Sequence, residues 1–157
     1  MNVKLIAIGK TDNKEMQNII ALFQNRLKYY INFELEIIPD LKKFKNLSEK
    51  QQKEKEGELI LKKMQPSDVV ILLDEKGKQF SSVEFSKYLQ KKMNSGIKQL
   101  VFVIGGPYGF SDKIYQKANE KISLSKMTFS HQMVRIFVVE QIYRAFTILR
   151  NEPYHHE

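Results

Sequence analysis

The chain has 157 residues and a formal net charge of +8, from 26 Lys and Arg against 18 Asp and Glu, with 22 of the basic residues Lys. One domain with its own buried core is expected at this length, and the absence of Cys excludes disulfides and thiolate metal sites. No apolar run approaches the roughly 20 residues of a membrane span, and the run opening at Met1 is too short for a secretory leader, so a cytoplasmic protein is expected. The basic balance suits a polyanionic partner such as RNA and suits a solubilising Lys-rich surface equally well.

Val3–Ile8 is an apolar run ended by Gly9 and predicts a buried strand. Met16, Ile19, Ile20, Phe23, Leu27 and Tyr30 recur at helical spacing across Lys14–Ile31. Phe33–Ile38 alternates and stops at Pro39, as a strand does, and Leu41–Leu47 reads as a Lys-rich loop. Ser48 with Gln51 makes a capping box for a second helix. Its first half, Glu49–Glu58, is almost free of apolar residues and reads as a solvated arm, with Leu59, Ile60 and Met64 as the docked end. A basic contact with nucleic acid is an alternative use of that arm.

Val69–Leu73 is apolar throughout, as in a strand covered on both faces. Asp74–Gly77 turns the chain, and Ser81 with Glu84 caps a helix carrying Val83, Phe85, Leu89 and Met93. Gly96 suits its C-terminal cap. Leu100–Ile104 is the next buried strand, Asp112–Asn119 a short helix, Ile122–Leu124 a small strand, and Ser130–Leu149 the final helix. Strands alternating with helices predict one α/β domain over residues 1–157, a mostly parallel sheet with helices on both faces.

Ligands of such sheets bind beyond the carboxyl ends of the strands. Three ends here are unusual: Leu73 precedes Asp74-Glu75, Ile104 precedes Gly105-Gly-Pro-Tyr-Gly109, and Leu124 precedes Ser125-Lys-Met-Thr128. The glycines fit neither the dinucleotide fingerprint nor a P-loop. They suit a close approach of backbone to a nucleotide-like ligand, or simply a tight turn. The final helix is apolar nearly all round yet carries Gln132, Arg135, Gln141 and Arg144, whose burial needs partners. A subunit interface bordering the site is the expected source of those partners. Glu140 and Arg144 are spaced to pair. His131 suits a cap or packing role, His155 and His156 lie in the tail, and no histidines have metal-site spacing.

Gly105–Phe110, Leu124–Phe129, His131, the run Val134–Ala145 and the terminal Pro153-Tyr154-His155 together resemble the RlmH family, SPOUT-class methyltransferases of large-subunit ribosomal RNA. Val3–Lys10 and Lys55–Glu58 share the resemblance, which spans essentially the whole chain. The resemblance implies a C-terminal trefoil knot, a homodimer, and transfer of methyl from S-adenosylmethionine to N3 of a pseudouridine in the intersubunit stem-loop of 23S rRNA in assembled ribosomes. Carried over by position, it implies a cofactor site at Leu73, Gly105, Leu124, Ser125, Lys126, Met127, Thr128 and Phe129. It links Arg144, Tyr154 and His155 to catalysis and substrate, and it implies no metal. Ser130 stands where some members have Pro, and His156 where many have Arg or Lys. A neutral His155 could take the N3 proton, or Arg144 could stabilise carbonyl charge, with Tyr154 against the flipped-out base. The alternatives are a noncatalytic ribosome-binding factor on the same fold and an enzyme acting on another nucleotide.

Overall fold

The computed structural model describes residues 1–41 and 46–156. Most of the expected Lys-rich loop, Leu41–Leu47, lies outside the described residues, as does Glu157. The described strands are β1 Asn2–Ile8, β2 Phe33–Ile38, β3 Val69–Lys78, β4 Gln99–Ile104 and β5 Glu120–Ile122. The helices are α1 Lys14–Leu27, α2 Glu49–Leu61, α3 Ser82–Asn94, α4 Asp112–Lys117 and α5 His131–Leu149. Every pairing is parallel, in the order β2-β1-β4-β3-β5.

The apolar runs are continuous because both faces of the sheet are covered. Leu5, Leu100, Phe102 and Ile104 face Leu27 of α1, Leu89 of α3 and Val138, Val139 and Ile142 of α5. Ile6, Val70, Leu72, Val101 and Val103 face Ile60 of α2 and Ile114 of α4. Local capping sets most boundaries. Asn13, Ser48, Ser81 and Ser130 each accept a backbone N–H from the first turn, and Ser48–Gln51 and Ser81–Glu84 complete reciprocal boxes. Gly96, with φ +76°, lies just beyond the end of α3. The first helix ends at Leu27 rather than Ile31, where the N–H groups of Tyr30 and Ile31 both turn onto the Leu27 carbonyl.

Three elements depart from expectation. The last strand is Glu120–Ile122, not Ile122–Leu124. Asn119 anchors its start by trading two bonds with Val70, and the Ser123 hydroxyl then donates to the Ser125 carbonyl and turns Leu124 out of the sheet. Asp74–Gly77 is not a simple turn between strand and helix. It is an excursion within β3, because Leu73 and Lys78 both oppose Ile122. Gly77 is required there: a Cβ would stand 2.5 Å from the Ile122 carbonyl carbon. The arm on α2 is not solvated throughout, since Glu56 and Gly57 are buried, although Glu58 beyond them is exposed again. Gly57 admits Ser111 of the α4 cap, whose hydroxyl would lie 2.3 Å from an added Cβ.

Among the described residues no helix is long and apolar enough to cross a membrane, and no cluster of three or more His, Asp or Glu side chains could hold a metal.

Candidate active site

Parallel strands bring Ile8, Leu73, Ile104 and Ile122 out on one edge of the sheet, and two adjoining hollows open there. The larger, about 370 Å³, lies between α3 and α5 and is walled by Phe80, Phe85, Phe102, Phe129 and Phe137, with Ser82 and Gln141 as polar groups. The smaller, about 170 Å³, is lined by Asp74, Glu75, Ser125, Met127, Thr128 and Val134. Leu73, Ile122, Ser123, Leu124 and Phe129 border both. Six of the eight expected cofactor residues therefore meet at one crevice: Leu73, Leu124, Ser125, Met127, Thr128 and Phe129. Gly105 and Lys126 line neither hollow.

The crevice loop is shaped by its own hydroxyls. The Ser125 hydroxyl accepts the Met127 N–H at 2.9 Å, and Ser130 caps α5 by accepting from Met133. Met127 is left 76% exposed, an apolar side chain presented at the mouth. Asp74 is held on the other side, its Oδ2 accepting the Tyr115 hydroxyl at 2.6 Å and its Oδ1 accepting the Lys76 N–H. Burial and then that bond push Tyr115 up to about 12.

The glycine loop after β4 folds back on itself, Gly109 donating to the Gly106 carbonyl. Phe110 packs against Gly105, and the Glu56 carboxylate fills the place of a Gly106 side chain. Glu56 is 2% exposed, and burial raises its pKa. Among the described residues its Oε2 and the buried Ser111 hydroxyl make no protein hydrogen bond. Glu56 was missed from the sequence, where nothing but the resemblance of Lys55–Glu58 marked it.

Arg135 is fully buried. It donates to the carbonyls of Ile8 at 2.6 Å, Gly9 at 2.8 Å and His131 at 3.2 Å, and to the Thr11 hydroxyl at 3.0 Å. Gln132 donates to the Lys10 carbonyl and accepts the Asp12 N–H. Both therefore have partners within their own chain, at the end of β1, in the loop after it and, for Arg135, in the first turn of α5. Gln141 likewise has partners within the chain, Ser82 of α3 and Glu140 of α5. His131 is exposed in the first turn of α5, and Ser130, not His131, is the cap.

Arg144, Tyr154 and His155 form a second group. Arg144 Nε and Nη2 both donate to Glu140 Oε1, at 2.9 and 2.7 Å, and Tyr154 donates to the same oxygen at 3.1 Å. The guanidinium carbon stands 4.7 Å from the Tyr154 ring centre, and Nη1 lies 3.1 Å from His155 Nδ1. The bond to Glu140 raises the Arg144 pKa, while burial foremost, then Glu140, raises that of Tyr154. The tail is fastened below this group by a short Tyr30–Glu152 hydrogen bond and by Tyr154 meeting Tyr143 edge-on at 4.8 Å. None of Arg144, Tyr154 and His155 lines either of these two hollows. A polar chain connects the two regions: Ser82 Oγ donates to Gln141 Oε1, Gln141 Nε2 donates to Glu140 Oε2, and Glu140 holds Arg144.

Residues 1–155 match a family model described as "Predicted SPOUT methyltransferase". The chain is 71% identical over 157 residues to a protein of Flavobacterium johnsoniae named "Ribosomal RNA large subunit methyltransferase H", covering all of both chains. A protein of the same name from Christiangramia forsetii is 68% identical over 156 residues, 99% of each chain. Another from Parabacteroides distasonis is 65% identical over 157 residues, again all of both chains.

Proposed function

The chain belongs to the SPOUT methyltransferase family, and on that premise we propose that it methylates N3 of a pseudouridine in the intersubunit stem-loop of 23S rRNA, on assembled ribosomes in the cytoplasm, with S-adenosylmethionine as donor. The observation that carries this reading is a strand-end crevice gathering six of the eight expected cofactor residues in a chain that matches rRNA methyltransferases over its full length.

The crevice fits the donor. A volume of about 370 Å³ is in the range of small-molecule sites. Aromatic walls suit a purine, Ser125 and Thr128 offer hydroxyls, and Asp74 and Glu75 complement a cation. When bound, S-adenosylmethionine would supply a methyl already activated on a sulfonium for transfer to N3. The protein's task is alignment. Leu73, Gly105, Leu124, Lys126 and Phe129 would bind the donor. Arg144, Tyr154 and His155 would hold the base.

The reading includes a homodimer and a C-terminal trefoil knot. The separation of Arg144, Tyr154 and His155 from both hollows supports completion of each site by a second copy, as do the incompletely buried apolar residues of α5, such as Ile136 and Phe137. A mass of twice 18.5 kDa is expected by light scattering.

The deciding experiment is transfer of labelled methyl to ribosomes lacking the modification, followed by mapping of the base. One labelled pseudouridine, at N3, is expected. Ribosome binding without transfer would instead identify a noncatalytic factor.

A further inference from the structure

Resting on the proposed place of Gly105 in the donor site, we infer that Glu56 is a positioning residue for S-adenosylmethionine: from the buried face of α2 it holds Gly106, and with it the Gly105–Gly109 loop, in the donor-binding arrangement.

Glu56 is 2% exposed, and a Cβ on Gly106 would stand 2.8 Å from its Cδ and 2.9 Å from its Oε1. A residue without a side chain lets the carboxyl lie this close to the loop. Gly57, the next residue of α2, gives the same access to Ser111: a Cβ there would stand 3.3 Å from the Ser111 Cβ. Consecutive residues of one helix thus touch both ends of the segment Gly106–Ser111. Within that segment the Gly109 N–H donates to the Gly106 carbonyl at 3.1 Å, and a Cβ on Gly105 would meet the Phe110 ring at 3.2 Å. The loop is closed on itself, and α2 fixes where it lies.

The loop leads to the donor. Gly105 follows Ile104, the strand partner of Leu73, and Leu73 borders both hollows. A shift at Gly106 reaches Gly105 across one peptide bond and so arrives beside the crevice.

The carboxyl suits this contact as a neutral acid. Gln52 Nε2 donates to Oε1 at 2.9 Å, and Oε2 has no protein partner. The polar groups around it are Gln52 of its own helix, Asp40 beyond β2 and Ser111 at the start of α4, while the glycine loop faces it with backbone. Burial foremost, and the Asp40 charge, raise its pKa, and the Gln52 bond opposes them. Ionisation would set a charge against Gly106 in a dry interior with Asp40 as its charged neighbour, so either the carboxyl leaves the contact or the loop moves. The held arrangement therefore belongs to the low-pH side and is lost as pH rises through the raised pKa.

Calorimetry of S-adenosylmethionine with full-length variants tests this. Glu56→Ala should weaken donor binding about tenfold, and Glu56→Gln, neutral and of the same shape, less than about threefold. Ribosome affinity by filter binding should change less than about twofold in both, whereas a general loss of structure would move both ligands. Gly106 has no positive φ, so Gly106→Ala probes the contact alone: it should weaken the donor about tenfold, and adding Glu56→Ala should restore most of that loss. Above the ordinary glutamate value of about 4.3, wild-type donor affinity should fall with pH through a step that Glu56→Gln removes. Wild-type donor affinity in a folded Glu56→Ala protein, a double variant no better than Gly106→Ala, or one pH profile for wild type and Gln each overturn the inference. The pH comparison stands even where Glu56→Ala does not fold. Absence of any S-adenosylmethionine binding by the wild type overturns instead the reading on which the inference rests.

Discussion

Arg135 shows how much one side chain organises. Its guanidinium ties the turn after β1 to the first turn of α5 through four hydrogen bonds, three of them to carbonyls. Arg135→Leu strands those carbonyls in a dry interior and is expected to destabilise the fold by ~3 kcal/mol, measured by urea unfolding. Arg135→Lys should recover little, because an ammonium cannot reproduce the fork. Tyr30 makes a complementary case at the tail. Burial, then its bond to Glu152, push its pKa up to about 12. The fold thus favours the neutral phenol: this contribution is fully present below the unfolded value of about 10 and is lost as pH rises through the folded one. Between those limits the wild type should lose more stability than Tyr30→Phe, in unfolding curves taken at stepped pH. Equal losses would show that the bond is not coupled to folding.

Among the elements, the β3 excursion is the most exacting. Gly77 passes so close to the Ile122 backbone that Gly77→Ala must separate β5 from β3, with an expected cost of ~2 kcal/mol and weaker binding of S-adenosylmethionine, because Ile122–Leu124 walls both hollows. Unchanged affinity by calorimetry would contradict the link. The excursion also marks where sequence reading stopped. Helix starts were legible because a cap is made within four residues, as Ser48 and Ser81 show. Strands β2 and β4 were legible because burial or alternation labels them. The bounds of β5 were not, since a three-residue strand is set by its partner, here Val70 through Asn119. Nor was the burial of Glu56, which depends on Gly106, distant in sequence. At the site, Arg144, Tyr154 and His155 came together because they lie within 12 positions of one another. The chain from Ser82 to Glu140 joins separate elements, and no local pattern announces it.

At the scale of the whole molecule, the two proposed ligands make opposite electrostatic demands. The donor is cationic at its sulfonium, and the charged groups lining the smaller hollow are Asp74 and Glu75. The RNA is a polyanion, and the chain carries an excess of 8 positive charges, mostly Lys. Arg is sparse, and all four, Arg26, Arg135, Arg144 and Arg150, are occupied by partners in their own chain. Base reading by arginine forks is therefore a small resource here, and Lys acting on phosphate is the larger one. Phosphate contacts release counterions, so ribosome affinity should fall steeply with salt: with about six phosphates neutralised, roughly a thousandfold between 50 and 200 mM. Donor binding involves a few charges at short range and should change by about twofold or less over the same interval. Filter binding for ribosomes and calorimetry for S-adenosylmethionine measure the two slopes. A flat ribosome slope would mean that the Lys excess serves solubility, and that the ribosomal site is recognised by its shape.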